Sequence, residues 1–419
     1  MKKLRLVLFA SMLHDKESVL GSRGPMFEAL RSFSDLEISY PALPLPDDGC
    51  RTICFIATGG TEELFKQYMQ VNRLQEPVIL LSDGFHNSLA AAFEISTFLM
   101  QNGKECCLLN VPLDYNPTYF ETFSRKIFGE LPPIVADDLS SRNTSPYITR
   151  NELHLLARQR IGLLGGQSSW LISSDIDRNA VESTYGVSFI DIPLSELEDG
   201  YAAVEEDDRR IRKIRSNMER YLTGDRTVAD LEEAAKLYAA LSDLCVRYKL
   251  NALTIKCFDL LHKVRTTACL ALALLNDDGI VAGCEGDIPS LWTMLYAKLA
   301  LKKPAFMANP SSSNRAELTI DFAHCTVPLG MLHGFRLPSH FESSIGIGIA
   351  GSIPSGRFRI MKFSGPQLDR FYSVCGNILM NTNVPQRCRT QIRFKFDSEA
   401  DYNGFFTTAK GNHVILVAE

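Results

Sequence analysis

The chain has 419 residues, more than one hydrophobic core usually organises, so two or three domains are expected. With 45% hydrophobic and 22% charged residues it reads as globular, and a formal charge of -5 offers no basic field to gather nucleic acid or anionic lipid, leaving a small molecule as the expected partner. The 11 cysteines form no C-x-x-C pair, which argues against a zinc knuckle or disulfide framework and for a reducing, cytoplasmic setting.

Met1 to Leu13 joins two lysines to a short apolar run. It reads as an opening strand rather than a secretion signal, because it carries Arg5, leads into His14 and Asp15 and has no small-x-small cleavage site. No segment approaches the roughly 20 uninterrupted apolar residues of a membrane span. Leu6 to Phe9, Ile53 to Ala57, Val78 to Leu81 and Cys106 to Leu109 are short β-rich runs separated by helical patterns such as Asn87 to Met100. That alternation predicts βαβ units on a parallel sheet. Two of the strand ends carry Thr58-Gly59-Gly60-Thr61 and Ser82-Asp83-Gly84, which read as turn chemistry or as the binding edge of an open α/β sheet.

A polar connection from Pro132 to Ser145 precedes Arg160 to Gly166, where the pattern restarts. Val187 to Ile192 follows as a strand. Ile211, Ile214, Met218 and Leu222 share one helical face; a second helix opens on a capping box at Thr227 and Asp230 and carries Leu231, Ala234, Leu241 and Leu244. Asn251 to Phe258 then reads as a strand, with a helix through Ala273 and a strand-to-loop passage at Gly279 to Gly286. Beyond Lys303 helical periodicity fades, and Leu318 to Phe322, Ile345 to Ala350, Phe358 to Phe363, Gln391 to Phe396 and Val414 to Val417 predict a mostly antiparallel, barrel-like ending. The expected architecture is two stacked parallel-sheet α/β domains, 1–155 and 156–303, followed by a β-rich domain, 304–419.

Chemistry concentrates in the last third. In Gly283-Cys284-Glu285-Gly286-Asp287-Ile288-Pro289 two carboxylates follow an apolar strand and precede a helix, where they can face a cleft and where Asp287 can cap the helix. Four of the eight histidines, His324, His333, His340 and His413, lie in the last domain. Taken singly, His324 in an apolar strand reads as a core histidine and His413 as a turn residue. No G-x-x-x-x-G-K-S/T or G-x-G-x-x-G motif stands at a strand–helix junction, so a nucleotide-dependent reading is weaker.

Ala282 to Asp287, Pro304 to Asn309, Phe322 to Cys325, His340 to Ser343 and Gly411 to His413 occur in the order of the motifs of the L-fucose/L-arabinose isomerase superfamily, and together they resemble that family's metal-binding core. The resemblance implies α/β domains with a C-terminal barrel, a homo-oligomer, Mn²⁺ or a similar divalent ion, and aldose–ketose isomerisation of a sugar. Carried over by position, it implies Glu285 as first carboxylate ligand, Asn309 in the place of the second acidic ligand, His413 as the late histidine ligand and His324 as the extra histidine of the arabinose branch. An O,O,N,N set suits Mn²⁺. Glu285 is then the expected base at C2. Asn309 departs from the pattern, since an amide offers a carbonyl oxygen but cannot shuttle a proton; Asp287, Asp321 or a bound water is left to do that work. His340, Glu342, Arg389, Gln391 and Asn412 are expected sugar contacts, Arg389 being suited to a phosphate, sulfonate or carboxylate. The alternative is a sugar-binding or regulatory relative that keeps the fold without turnover.

Overall fold

A computed structural model describes residues 2–11, 16–41, 44–46, 48–112, 117–130, 154–408 and 410–419. The connection expected at Pro132 to Ser145 lies outside them. Strands β1 (Lys2–Phe9), β2 (Ser34–Ser39), β3 (Arg51–Ile56), β4 (Val78–Ser82) and β5 (Cys106–Asn110) form a parallel sheet in the order β2-β1-β3-β4-β5. Continuous apolar runs such as Val78 to Leu81 are what a sheet covered on both faces needs. Leu6, Phe55 and Leu81 pack on one side and Phe9, Phe65 and Leu80 on the other.

A second parallel sheet has the order β7-β6-β8-β9, from β6 (Arg160–Leu164), β7 (Ser188–Ile192), β8 (Ala252–Ile255) and β9 (Val281–Gly283). The capping box expected at Thr227 and Asp230 starts the long helix Val228–Tyr248. The segment after β8 turns helical at once, as Cys257–Val264 and then Cys269–Asp277, so the strand ends short of the expected Phe258.

The last part is a closed antiparallel barrel, β10-β11-β16-β15-β14-β17, from β10 (Phe306–Asn314), β11 (Thr319–His324), β14 (Gly356–Ser364), β15 (Arg370–Asn381), β16 (Thr390–Phe396) and β17 (Val414–Ala418). One apolar core runs without a break from the second sheet (Leu163, Leu253) through Trp292 into the barrel (Phe306, Phe394). The strand expected at Ile345 to Ala350 is a loop up to Ala350, which opens the short β13 (Ala350–Ser352) paired with β12 (Gly334–Arg336). Its backbone bonds to other loops instead of a ladder, Ile347 N–H donating to Thr267 Oγ1 at 3.2 Å and Gly348 N–H to the Pro338 carbonyl at 2.8 Å. Among the described residues no helix is long and apolar enough to cross a membrane.

The topology points each part at the same place. In an open parallel sheet a crevice opens outside the carboxyl ends of the strands where the strand order reverses. In the first sheet that point lies between β1 and β3, followed by Ser11 and by Thr58 to Thr61; in the second it lies between β6 and β8, followed by Gly165-Gly166 and by Cys257-Phe258.

Candidate active site

A cleft lined by Ser11, Glu62 and Asn87 of the first part, Trp170, Phe258 and Glu285 of the second and Asn309, Glu342 and Asn412 of the third lies where these crevices meet the barrel. It continues past Glu285 into a pocket bounded by His324, His340 and a set of cysteines, among them Cys257, Cys284, Cys325 and Cys388. All described cysteines are free thiols.

Glu285 reaches this cleft through an unusual turn. Its own φ is 64° and that of Gly286 is 72°, both in the left-handed region. At residue 286 a Cβ would sit 2.3 Å from the Gly166 carbonyl oxygen, so glycine alone fits there. For a glutamate this conformation costs on the order of 1 to 3 kcal/mol, and such strain collects at functional sites. His86 and Asn87, at the cleft's other wall, also have positive φ, 51° and 57°.

Around Glu285 the charges are ordered. Its Oε2 accepts the Trp170 indole N–H at 2.8 Å, and its Oε1 lies 3.5 Å from His413 Nε2. Asp287 starts the helix Ile288–Tyr296, capping it by accepting the Ser290 N–H at 2.7 Å. Its other oxygen meets the Ser290 hydroxyl at 2.7 Å, Lys362 Nζ at 3.3 Å and His413 Nδ1 at 3.0 Å, all fully buried. Burial pushes the Asp287 carboxyl up, but Lys362 and His413 overcome it and hold the group ionised. Burial likewise raises Glu285, and the charge and hydrogen bond of His413, with His324 and Trp170, bring it below the usual carboxylate range. Burial alone would keep His413 neutral; the two carboxylates draw its pKa up to about 9.

Asp287 therefore holds the Nδ1 proton and turns Nε2 toward Glu285. This carboxylate–histidine relay is how proteins present an imidazole to a metal ion. Nε2 is buried and faces only the long 3.5 Å approach of Glu285 Oε1, and the buried Asn309 Oδ1 has no hydrogen-bond partner among the described residues. Ligand atoms of Cys284, Glu285 and His324 lie within 4.8 Å of one another. His324 fits a metal less directly than His413: its Nδ1 accepts the Thr326 N–H at 3.2 Å, which leaves the ring proton on Nε2. Burial and the neighbouring His413 depress its pKa to about 3, so it is neutral. The Cys284 thiol, in contact with Cys257 Sγ at 3.2 Å and buried, is pushed well up and stays protonated, leaving an oxygen and nitrogen donor set.

Of the expected sugar contacts, His340, Glu342 and Asn412 line the cavity. Glu342 accepts the Asn87 side-chain N–H at 2.8 Å, and His340 Nδ1 sits 2.9 Å from the Ser343 hydroxyl. Arg389 instead clasps Ser339, donating to its carbonyl at 2.7 Å and its hydroxyl at 3.0 Å. Gln391 spends its amide inside the loop before β16, donating to Val384 O and Cys388 O at 2.9 Å each. Asp321 lies between Arg387, at 2.7 Å, and Arg393, at 2.8 Å, and does not line the cleft. His333 is exposed. Sequence reasoning passed over Ser11, Glu62, Asn87, Trp170 and Phe258; the Gly59-Gly60 turn was the one signal that led toward them.

No protein-family model matches the chain. It is 28% identical to the sulfoquinovose isomerase of Clostridium sp. (strain MSTE9) over 214 residues, 46% of this chain and 47% of that protein. The match thus spans about half the length of this curated relative. The chain is similar, over just under half of its own length, to a sugar isomerase.

Proposed function

We propose that this protein is a divalent-metal-dependent aldose–ketose isomerase. The observation that carries this reading is the buried Asn309 Oδ1, which has no hydrogen-bond partner among the described residues, lining with the ionised Glu285 a cleft formed by all three parts of the chain, and the buried His413 Nε2 aimed at Glu285 Oε1 from 3.5 Å. Orphaned buried polar atoms cost on the order of 1 to 3 kcal/mol each, so a fold keeps them for a ligand. Glu285, Asn309 and His413 would hold the ion, with His324 beside them. Mn²⁺ suits oxygen and imidazole donors without thiolates. Bound there, such an ion supplies Lewis acidity that polarises a sugar carbonyl and acidifies its neighbouring hydroxyl.

The chain's own residues do the rest. Glu285, held ionised, takes the proton from C2 of an open-chain aldose and returns it at C1. Trp170 fixes one of its oxygens at 2.8 Å, and Phe258, packed edge-on to Trp170 at 5.3 Å, keeps water from that side. Asn87, His340, Glu342 and Asn412 offer the directional hydrogen bonds that a polyol requires. The sugar is a free one or one carrying an anionic group; the relative's sulfoquinovose, a sulfonated hexose, is the first to test. A homo-oligomer, a cytoplasmic location and three domains at 1–155, 156–303 and 304–419 belong to the same reading.

The test is hydrogen exchange at C2, followed by NMR in D₂O with the purified chain, Mn²⁺ and a panel of neutral and anionic aldoses, with and without a chelator. Chelator-sensitive deuterium incorporation with ketose formation is expected for one substrate class, and Glu285→Gln is expected to lose at least 100-fold in turnover while still binding the sugar. A second reading, a sugar-binding relative without turnover, is favoured by the amide at Asn309; binding without exchange for any sugar would establish it and overturn the first.

A further inference from the structure

Isomerisation through an enediol needs two proton-transfer groups, one at carbon and one at oxygen, and Asn309 cannot be the second. The other acids near the centre are committed. Asp287 serves Lys362, Ser290 and His413. Asp321 is locked between two arginines away from the cleft. Glu94 is fully buried in the helix Ser88–Gln101 and accepts the backbone N–H groups of Ser173, at 2.7 Å, and Asn412, at 3.0 Å. Glu342 is tied to Asn87.

Glu62 is different. It stands at the reversal point of the first sheet, first residue of the helix Glu62–Val71 that follows the Gly59-Gly60 turn. It is 2% exposed, its Oε2 has no hydrogen-bond partner among the described residues, and it lines the same cleft as Glu285, Asn309 and Asn412. A buried acid without a counter-ion or a donor for one oxygen is costly to keep for packing alone.

We propose that Glu62 is the second catalytic acid of this site, giving a proton to O1 and taking one from O2 of the sugar while Glu285 works at carbon. This rests on the isomerase reading above. In the aldose-to-ketose direction the C2–H bond breaks and its proton goes to the Glu285 carboxylate. The electron pair forms C1=C2, the C1=O1 pair moves onto O1, and O1 takes the Glu62 proton. The neutral enediol then yields its O2 proton to the Glu62 carboxylate, C2=O2 forms, and C1 takes back the proton held by Glu285. Each carboxyl ends as it began, and no co-reactant is consumed.

The environment of Glu62 supports this role. Burial, reinforced by the charges of Glu94 on the neighbouring helix and Glu285 across the cleft, raises Glu62 to about 8 against the pull of backbone N–H groups at the helix start, so it carries its proton at neutral pH.

The experiment uses the full chain loaded with Mn²⁺ and the sugar identified by C2 exchange. Glu62→Gln is expected to lower kcat by about 100- to 10,000-fold, with bound manganese by elemental analysis unchanged and KM within about threefold. In Glu62→Ala, added formate is expected to restore part of kcat without changing metal content, which a structural role would not allow. Glu62→Gln with kcat within about threefold of wild type overturns the assignment and leaves the isomerase standing. Should Glu62→Gln fail to fold, Glu62→Ala decides, and no formate-dependent gain overturns it. Wild-type protein inactive on every sugar overturns the isomerase reading and Glu62's role with it.

Discussion

His413 sits between two carboxylates with different duties. Asp287 holds its Nδ1 at 3.0 Å, and Glu285 stands 3.5 Å from its Nε2. Asp287→Asn removes the charge that orients the ring, and partners of this kind set metal affinity by about 10- to 100-fold. It also strands Lys362, 1% exposed in its side chain, with no carboxylate, which costs about 3 to 5 kcal/mol. Asp287→Asn is therefore expected to bind Mn²⁺ at least 10-fold more weakly by calorimetric titration and to unfold at lower temperature. Adding Lys362→Met should restore the unfolding temperature and leave the weak affinity in place, separating the two duties. Glu62 gives a prediction of opposite character. Its folded pKa of about 8 lies above the ordinary glutamate value of 4.5, so between those values the folded chain holds a proton the unfolded chain has lost. Stability from this group is full below about pH 4.5 and falls as pH rises to about 8. In metal-free protein, wild type minus Glu62→Gln should show that slope in denaturant midpoints, and a flat difference would contradict it. At this scale the sequence was informative only where a motif supplied a partner. Glu285, Asn309 and His324 line one cavity, and His413, fully buried behind it, approaches Glu285 at 3.5 Å. Asp321, Arg389 and Gln391 look equally functional as letters, but their partners, Arg387, Ser339 and Val384, are set by tertiary contacts. Glu62 was hidden because Thr58 to Thr61 satisfied a turn reading.

Among the elements, those with unmixed signals were legible and those with a breaker inside were not. Every short apolar run of the first half became a parallel strand, and the capping box began its helix. β15 escaped because Gly376 interrupts it; a Cβ there would lie 2.3 Å from the Lys395 carbonyl oxygen, so the strand passes its neighbour closely at that point. The helix Glu399–Thr407 escaped because Asn403-Gly404 imitates a turn, although Ser398 caps it by accepting the Asp401 N–H at 3.1 Å and Phe405 is fully buried. The opposite error, a strand expected at Ile345 to Ala350, arose because alternating Ile and Gly imitates period two. The glycines there answer a steric demand: Gly346 has φ 56° and a Cβ would fall 2.5 Å from Thr267 N. This loop follows His340 and Glu342 and packs on Thr267, itself in the pocket wall. Gly346→Ala is thus expected to destabilise by at least the 1 to 2 kcal/mol that a left-handed alanine costs, roughly, and to raise KM as the wall shifts. Thermal unfolding and steady-state kinetics check both, and an unchanged KM would mean that the loop does not shape the pocket.

Across the whole molecule, the cleft exists because the barrel is strapped to the first sheet. Asn110 at the end of β5 accepts the Ser313 N–H and hydroxyl of β10 at 3.0 Å each, and Thr97 Oγ1 accepts the N–H groups of Lys410 and Gly411 at 3.1 and 3.0 Å. A third strap is Arg387, 2% exposed, which donates to the Gly84 carbonyl at 2.8 Å while pairing with Asp321 at 2.7 Å. Gly84 lies two and three residues before His86 and Asn87, and His86 N–H donates back to the Gln386 carbonyl at 3.1 Å. Asp321 therefore acts on the cleft wall through Arg387, which separates a strap from a proton-transfer acid in kinetics. Asp321→Asn leaves a buried guanidinium without its counter-charge, at a cost of about 3 to 5 kcal/mol. The Gly84 loop loosens, and with it the Asn87 side chain that holds Glu342 at 2.8 Å. The expected result is a lowered unfolding temperature and a KM raised several-fold, with kcat in the folded fraction within about threefold of wild type. A kcat reduced 100-fold or more at unchanged KM would place Asp321 among the acids that move protons.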